Sequence, residues 1–277
     1  MPIVRPAELS DVSQMATILR AGFPPTLVDR TILGCDGFHR FLADTIAIGP
    51  RGGTLYVLAA DAASVVGVAE FRWSFDGILL NHIYVSPDRQ GQGLGRMLLA
   101  EGITRTTDWT GRAFGECGIC LDVFADNFPA RRWYESIGFT TVGELAWLQR
   151  SLDASDRTGR PWYLSGWPQA ERAHAAYGFS EFELRTEIGR HRIGRLGTQW
   201  FRATDAAILT DATGLAALAE LDPARRLLYF GPRVDDSPPQ AVSLRMQAAA
   251  SNVLNRLQSR RAASCPEISA AGSRHAK

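Results

Sequence analysis

The segment Arg89-Gln90-Gly91-Gln92-Gly93-Leu94-Gly95-Arg96 sets three glycines at alternate positions between two arginines. A strand-like run precedes it and a helix-like run follows. Glycine lets backbone approach an anion with no Cβ in the way. The unpaired N–H groups and positive dipole end of a helix's first turn can then hold phosphate oxygens. Arg89 and Arg96 can add charge-assisted bonds. A tight strand-to-helix turn with no ligand satisfies the same pattern. Two nucleotide motifs are excluded. No Gly-Lys-Ser/Thr follows, so this is not a P-loop. The spacing Gly91-x-Gly93-x-Gly95 after an antiparallel meander also differs from the dinucleotide fingerprint of an opening βαβ unit.

A second cluster lies downstream in Leu121-Asp122-Val123-Phe124-Ala125-Asp126-Asn127-Phe128-Pro129-Ala130-Arg131-Arg132-Trp133-Tyr134-Glu135-Ser136-Ile137-Gly138-Phe139. It reads as a strand, an Asn, a helix and a Gly-Phe exit. Together with Gln90-x-x-Gly93-x-Gly95 after Val85-Ser86-Pro87, it resembles the GCN5-related N-acetyltransferase (GNAT) superfamily over roughly residues 1–150. The resemblance implies acetyl-coenzyme A as acyl donor and no metal. Backbone of Ile83, Tyr84 and Val85 would hold the pantetheine arm. The N–H groups of Gln90, Gly91, Gln92, Gly93, Leu94, Gly95 and Arg96 would hold the pyrophosphate. Asn127 would make a polar contact to the donor, although Asn is equally suited to cap a helix. Arg131 or Arg132 would reach the phosphates or simply face solvent.

For the chemistry, the resemblance places Tyr134 as general acid for a departing thiolate; a half-buried packing aromatic is the other reading. An alkylammonium acceptor must lose a proton before attack. His82 comes first as base, because an imidazole exchanges protons near neutral pH, then Asp122 and Glu70. Alternation puts Asp122 on one strand face with Cys120 and Phe124. Leu79 and Asn81 offer no base.

Positioning these groups requires a mixed, mainly antiparallel sheet flanked by helices, an α+β class. Ile3 to Arg5 reads as a strand. A helix opens at Asp11, with Gln14 at the capping-box position and Val12, Met15, Ile18 and Leu19 as its apolar face. Phe38, Phe41, Leu42 and Ile46 mark a second helix, stopped by Gly49-Pro50. Strands are expected over 55–59, 65–73, 78–85, 119–123 and 139–148, with helices over 93–107 and 129–136.

Residues 1–150 are thus one expected domain, 151–161 a polar linker, 162–258 a C-terminal α/β accessory domain and 259–277 a disordered tail. In the accessory part, 179–184, 196–202 and 227–230 read as strands, and 189–197 as an Arg/Gly-rich turn. Leu215, Leu218 and Leu221 mark a short helix. The spacing of Val242, Met246, Ala249, Val253 and Leu257 predicts a helix over 240–258. Ala173-His174-Ala175-Ala176-Tyr177-Gly178-Phe179 faintly echoes Ala130 to Phe139. That echo fits a degenerate second GNAT-like unit without a donor site, or chance. Such a half could wall an acceptor pocket or make a homodimer.

Bulk features narrow the field. With 45% hydrophobic and 21% charged residues and a net charge of +1, nothing favours a nucleic-acid or membrane partner. Lysine occurs only at position 277, which reads as codon usage and not as a basic patch. The start of the chain shows no apolar leader, and four cysteines make no disulfide framework, so a cytoplasmic setting is expected. Cys117-Gly118-Ile119-Cys120 lacks a second pair for zinc and reads as buried packing. The function expected is acetyl transfer to a primary amine, most simply of a small molecule. A protein or peptide N-acetyltransferase and a non-catalytic acyl-CoA-binding module are the alternatives.

Overall fold

Runs such as Thr54–Ala60, in which five consecutive residues are buried, can only be strands covered on both faces. The computed structural model describes residues 2–61, 64–74, 77–111, 118–152, 159–234 and 238–263. The first half runs β1 (Ile3–Pro6), α1 (Val12–Ala21), α2 (Phe38–Ile48), β2 (Thr54–Ala60), β3 (Val65–Ser74), β4 (Gly77–Val85), α3 (Leu94–Thr110), β5 (Gly118–Phe124), α4 (Phe128–Ser136) and β6 (Thr140–Ser151). The second runs β7 (Tyr163–Ser165), α5 (Trp167–Tyr177), β8 (Phe179–Arg185), β9 (Arg190–Leu196), β10 (Trp200–Ala203), α6 (Ala212–Leu221), β11 (Arg226–Gly231), β12 (Ala241–Ala249) and α7 (Ala250–Ala263).

All twelve strands join one sheet in the order β1-β2-β3-β4-β5-β12-β6-β11-β10-β9-β8-β7. Pairing is antiparallel except for β4 with β5 and β10 with β11. One face of the first half carries α3, α4 and α7 on Phe71, Leu98, Ile119, Phe139, Met246 and Val253. The other carries α1 and α2 on Met15, Leu42, Leu58 and Val68. A further core around Phe182, Ile193, Phe201, Leu218 and Leu227 holds the second half. The halves meet where α2 abuts the end of α5. There Gly37 is obligatory, because a Cβ would fall 2.3 Å from the Cα of Tyr177.

Several local expectations are corrected. Asp11 and Gln14 do not form a capping box with each other: Asp11 accepts from the Glu8 N–H at 2.8 Å and pairs with Arg5, while Gln14 accepts from the Val65 N–H at 2.7 Å. The 189–197 turn is strand β9, and 196–202 is broken at Gly197, φ 48°, into the end of β9 and the start of β10. The helix over 240–258 is half strand. A spacing of four fits both helix and alternation, and Leu244 between Val242 and Met246 is the residue that alternation alone explains. β5 and β6 do not pair with each other; β12 lies between them and pairs with both. Backbone pairing therefore crosses the boundary expected at 151–161. Helix α7 continues to Ala263, past the expected start of the tail; 264–277 and 153–158 lie outside the described residues.

Candidate active site

Strands β4 and β5 run parallel and pair only through Ile78↔Ile119, Leu79↔Cys120 and Leu80↔Leu121. Both continue, β4 to Val85 and β5 to Phe124, without further pairing to each other. The divergence begins at a bulge: β4 pairs with β3 at His82↔Glu70 and next at Leu80↔Phe71, which leaves Asn81 extra. Bulges bend and twist a strand. Ile83, Tyr84 and Val85 thus pair with β3 on one side and face the cleft on the other.

The glycine turn sits at the end of this cleft. Gly93, φ 80°, precedes the first residue of α3, and only glycine takes that conformation freely. A Cβ at Gly91 or Gly93 would meet nothing within 4 Å, so the turn is an open cradle over the first N–H groups of α3. Gln90 donates to the Val85 carbonyl at 2.9 Å and Gln92 to the Asp88 carbonyl at 3.2 Å, bracing the turn against the strand. Arg89 is tied to Asp61 at 2.9 Å, whereas Arg96 begins the helix partly exposed. The turn, its helix and the diverging strands fit a pyrophosphate with a linear arm.

Of the four acid/base candidates, the structure joins two. Glu70 Oε2 lies 2.7 Å from His82 Nδ1. Glu70 is 1% exposed and its other oxygen accepts from Arg72 Nε at 2.6 Å. Burial pushes the Glu70 carboxyl up, but Arg72, His82 and Asn81 outweigh it and hold the group down at about 2. In the tautomer protonated at Nδ1 the ring donates to this carboxylate and leaves the Nε2 lone pair free; Asn81 Nδ2 also lies 3.0 Å from Nδ1. His82 itself is partly exposed and lines a cavity.

Asp122 is placed differently. It shares its face of β5 with Cys120 and Phe124, as alternation requires. Both its oxygens are occupied by Arg245 of β12, at 2.9 Å each. Tyr134 is 6% exposed in α4, between Trp133 and Phe139, with ring centroids 4.9 and 5.6 Å away. Burial raises its phenol above the usual range, so it stays protonated. The Asn127 side chain caps α4 by accepting from the Ala130 N–H at 3.3 Å. Arg131 donates to the Ala125 carbonyl at 2.7 Å and stacks on Phe128, which fixes it beside the end of β5. Cys120 is partly buried and burial raises its thiol; Cys117 lies outside the described residues.

Sequence reasoning missed the groups that complete the cavity. Its volume is about 480 Å³, within the roughly 300–1,000 Å³ of small-molecule sites. His82, Asn81, Arg72 and Asp122 of the first half line it together with Tyr177, Glu181, Gly194 and Arg202 of the second. Arg72 was legible, two residues from Glu70 on the same strand face. Arg245 carried no sequence signal, since its partner Asp122 is 123 residues away, and Arg202 carried none, since the first-half residues that share its cavity come from distant strands.

From β7 to β11 the second half follows the order of β1 to β5 with one helix fewer, but closes the equivalent cleft. β10 and β11 pair along all of Trp200–Ala203, with no divergence. The Asp211 side chain, 0% exposed, occupies the N-terminus of α6, accepting from the Gly214 N–H at 2.9 Å. It also accepts from Thr186 at 2.6 Å and lies 2.8 Å from His191 Nε2. A carboxylate stands where the first half offers free N–H groups.

Residues 51–141 match the family described as acetyltransferase (GNAT) domain. Mycothiol acetyltransferase of Kocuria rhizophila is 39% identical over 99 residues, covering 32% of this chain and 30% of that protein. N-alpha-acetyltransferase 40 of Saccharomyces cerevisiae is 36% identical over 90 residues, covering 31% of each. The chain thus spans under a third of the length of these curated relatives. Among solved structures, a GCN5-related N-acetyltransferase from Sphaerobacter thermophilus superposes with a TM-score of 0.59 at 12% identity, over 90% of this chain and 96% of that one. A tandem GNAT protein from the clavulanic acid biosynthesis pathway gives 0.54 at 15%, over 90% and 99%. At such identity the likeness is one of fold. The whole chain has the tandem arrangement.

Proposed function

Residues 51–141 belong to the GNAT acetyltransferase family, and from that premise we propose that the protein transfers an acetyl group from acetyl-coenzyme A to a primary amine of a small molecule. The observation that carries the reading is the Glu70–His82 pair, which opens onto a cavity beside the cleft between β4 and β5. Acetyl-coenzyme A supplies an activated thioester. Its pantetheine arm fits along the free backbone of Ile83 to Val85, and its pyrophosphate fits on the cradle of Gly91 to Arg96.

His82 Nε2 takes a proton from the acceptor ammonium, with Glu70 holding the ring and stabilising the imidazolium. The freed amine attacks the thioester carbonyl in a ternary complex; the C–N bond forms, the C–S bond breaks and the nitrogen releases its second proton to solvent. Tyr134 donates its phenolic proton to the departing thiolate, and the proton held at His82 restores the phenol by way of solvent. Asp122, neutralised by Arg245, shapes the cavity and is not the base. The cavity is walled by the second half, which favours a small acceptor over a folded protein surface.

The test is thiol release from acetyl-coenzyme A with a panel of small amines and N-terminal peptides. Release stimulated by small amines supports the reading. Acetyl-coenzyme A binding with no amine-stimulated release makes the protein a binding module, and release with peptides alone makes it a peptide N-acetyltransferase.

A further inference from the structure

The part of the cavity lining contributed by the second half carries an arginine. Arg202 of β10 lines the cavity and, among the described residues, no carboxylate lies within ion-pair distance of it. Arg72 is bound to Glu70. Arg30 donates to Gln240 at 3.1 Å and stacks on Trp200 at 5.5 Å, with its Nε buried and without a hydrogen-bond partner. Glu181, on the cavity wall two strands from Arg202, is engaged by Arg192 through two hydrogen bonds. Between Glu181 and Arg202 the register places Gly194, so no side chain screens the guanidinium from the cavity.

An enclosed charge of this kind is costly unless paired. Burial pulls the Arg202 guanidinium below its ordinary range; Glu181 opposes this, while Arg72 and Arg192 add like-charge repulsion. Arg72 and Arg202 line the same cavity. β3 and β10 are six positions apart in the strand order, which on a flat sheet would be roughly 29 Å at about 4.8 Å per step. The sheet therefore curves enough to bring residues of both strands to one cavity.

The cavity lining is also aromatic. Phe23 packs edge-on to His82 at 6.4 Å and to Phe124 at 5.4 Å. Phe124 meets Trp147 at 5.9 Å, and Trp147 meets Phe230 at 4.9 Å. Phe230 belongs to β11, the strand beside β10. The lining thus includes a proton acceptor, aromatic faces and the Arg202 guanidinium.

We infer that the acceptor is an amino carboxylic acid, whose amine meets His82, whose apolar body lies on Phe124, Trp147 and Phe230, and whose carboxylate pairs with Arg202. The Arg202 guanidinium, with no carboxylate partner among the described residues, matches one negative charge. The inference rests on the proposed acetyl transfer for the role of the amine, but not for the carboxylate.

Three matched pairs test it: phenylalanine with phenethylamine, 4-(aminomethyl)benzoate with benzylamine, and 6-aminohexanoate with pentylamine. Acetyl transfer and calorimetric binding are measured for wild type, Arg202→Gln and Arg202→Lys, with acetyl-coenzyme A affinity as the check that each variant is folded. The expected result is a preference for at least one carboxylated partner. Arg202→Gln raises KM for that partner by roughly 10- to 100-fold with kcat little changed, Arg202→Lys restores part of the loss, and the simple amine is unaffected. Equal or better use of the simple amine in all three pairs overturns the inference while leaving acetyl transfer standing; so does an equal effect of Arg202→Gln on both partners. If no amine is acetylated, binding of 4-methylbenzoate decides. Binding to wild type that is lost in Arg202→Gln sustains the anion site although the transfer reading has failed, and no binding overturns both. Should Arg202→Gln not fold, the wild-type preference within the pairs and the Arg202→Lys data decide.

Discussion

His82 works only as well as Glu70 holds it. An imidazole donating Nδ1–H to a buried carboxylate presents Nε2 as the acceptor, whereas a free ring presents either nitrogen. Removing the ring in His82→Gln is expected to lower kcat by about 10²-fold or more with acetyl-coenzyme A affinity unchanged, the scale of a lost general base. Single-turnover and binding measurements separate the two. Tyr134→Phe is expected to lower kcat similarly with little change in KM, because a phenyl ring fills the same space between Trp133 and Phe139. An unchanged rate in either variant would remove that residue from the proton path. Glu70 also makes a stability prediction. Its carboxyl is held at about 2, below its ordinary value, so its contribution is full above roughly pH 4.5 and is lost as pH falls toward 2. Denaturant midpoints should therefore drop between pH 5 and pH 3, and Glu70→Gln, less stable at pH 5, should show a smaller drop.

At the scale of elements, two helix N-termini of one chain have opposite fates. The start of α3 is open, with Gly93 at φ 80° and free space at its missing Cβ. Gly93→Ala is expected to cost about 1–2 kcal/mol of stability from the left-handed backbone and to weaken acetyl-coenzyme A binding by about tenfold, read by calorimetry. The start of α6 is filled by Asp211. Asp211→Ala removes the cap and strands the buried His191 and Thr186, a loss of about 1–3 kcal/mol in chemical unfolding with acetyl-coenzyme A affinity unchanged. Equal effects of the two substitutions on donor binding would contradict the assignment of the donor site to the first half.

For the whole molecule, β12 is the strand that makes two halves one structure. It lies between β5 and β6, and its Arg245 meets Asp122 on β5. A chain ending at residue 234 should leave β5 and β6 with unpaired edges, and such edges promote association. That truncation is expected to abolish cooperative unfolding and acetyl-coenzyme A binding, even though the glycine turn and Tyr134 are intact. A truncated chain that stays monomeric and binds the donor would show that the first half stands alone.

The donor half was legible from local signals. Glycine spacing, the Asn127 cap and the alternation around Asp122 depend on neighbours within a few residues, so residues 78–139 declare a strand-turn-helix and a strand-helix without reference to the rest. The acceptor half of the site was not. His82 and Glu70 could be named but not joined, since only the antiparallel register of β3 and β4 sets them opposite each other. Arg245 and Arg202 belong to strands whose places in the sheet are decided by pairing across the chain, and the spacing of Val242 and Met246 even read as helical. Side-chain periodicity reports which face a residue takes, not which strand lies beside it. The sequence alone therefore determined a glycine turn suited to an anion at the start of a helix; the pairing of a twelve-stranded sheet decided which side chains share a cavity beside it.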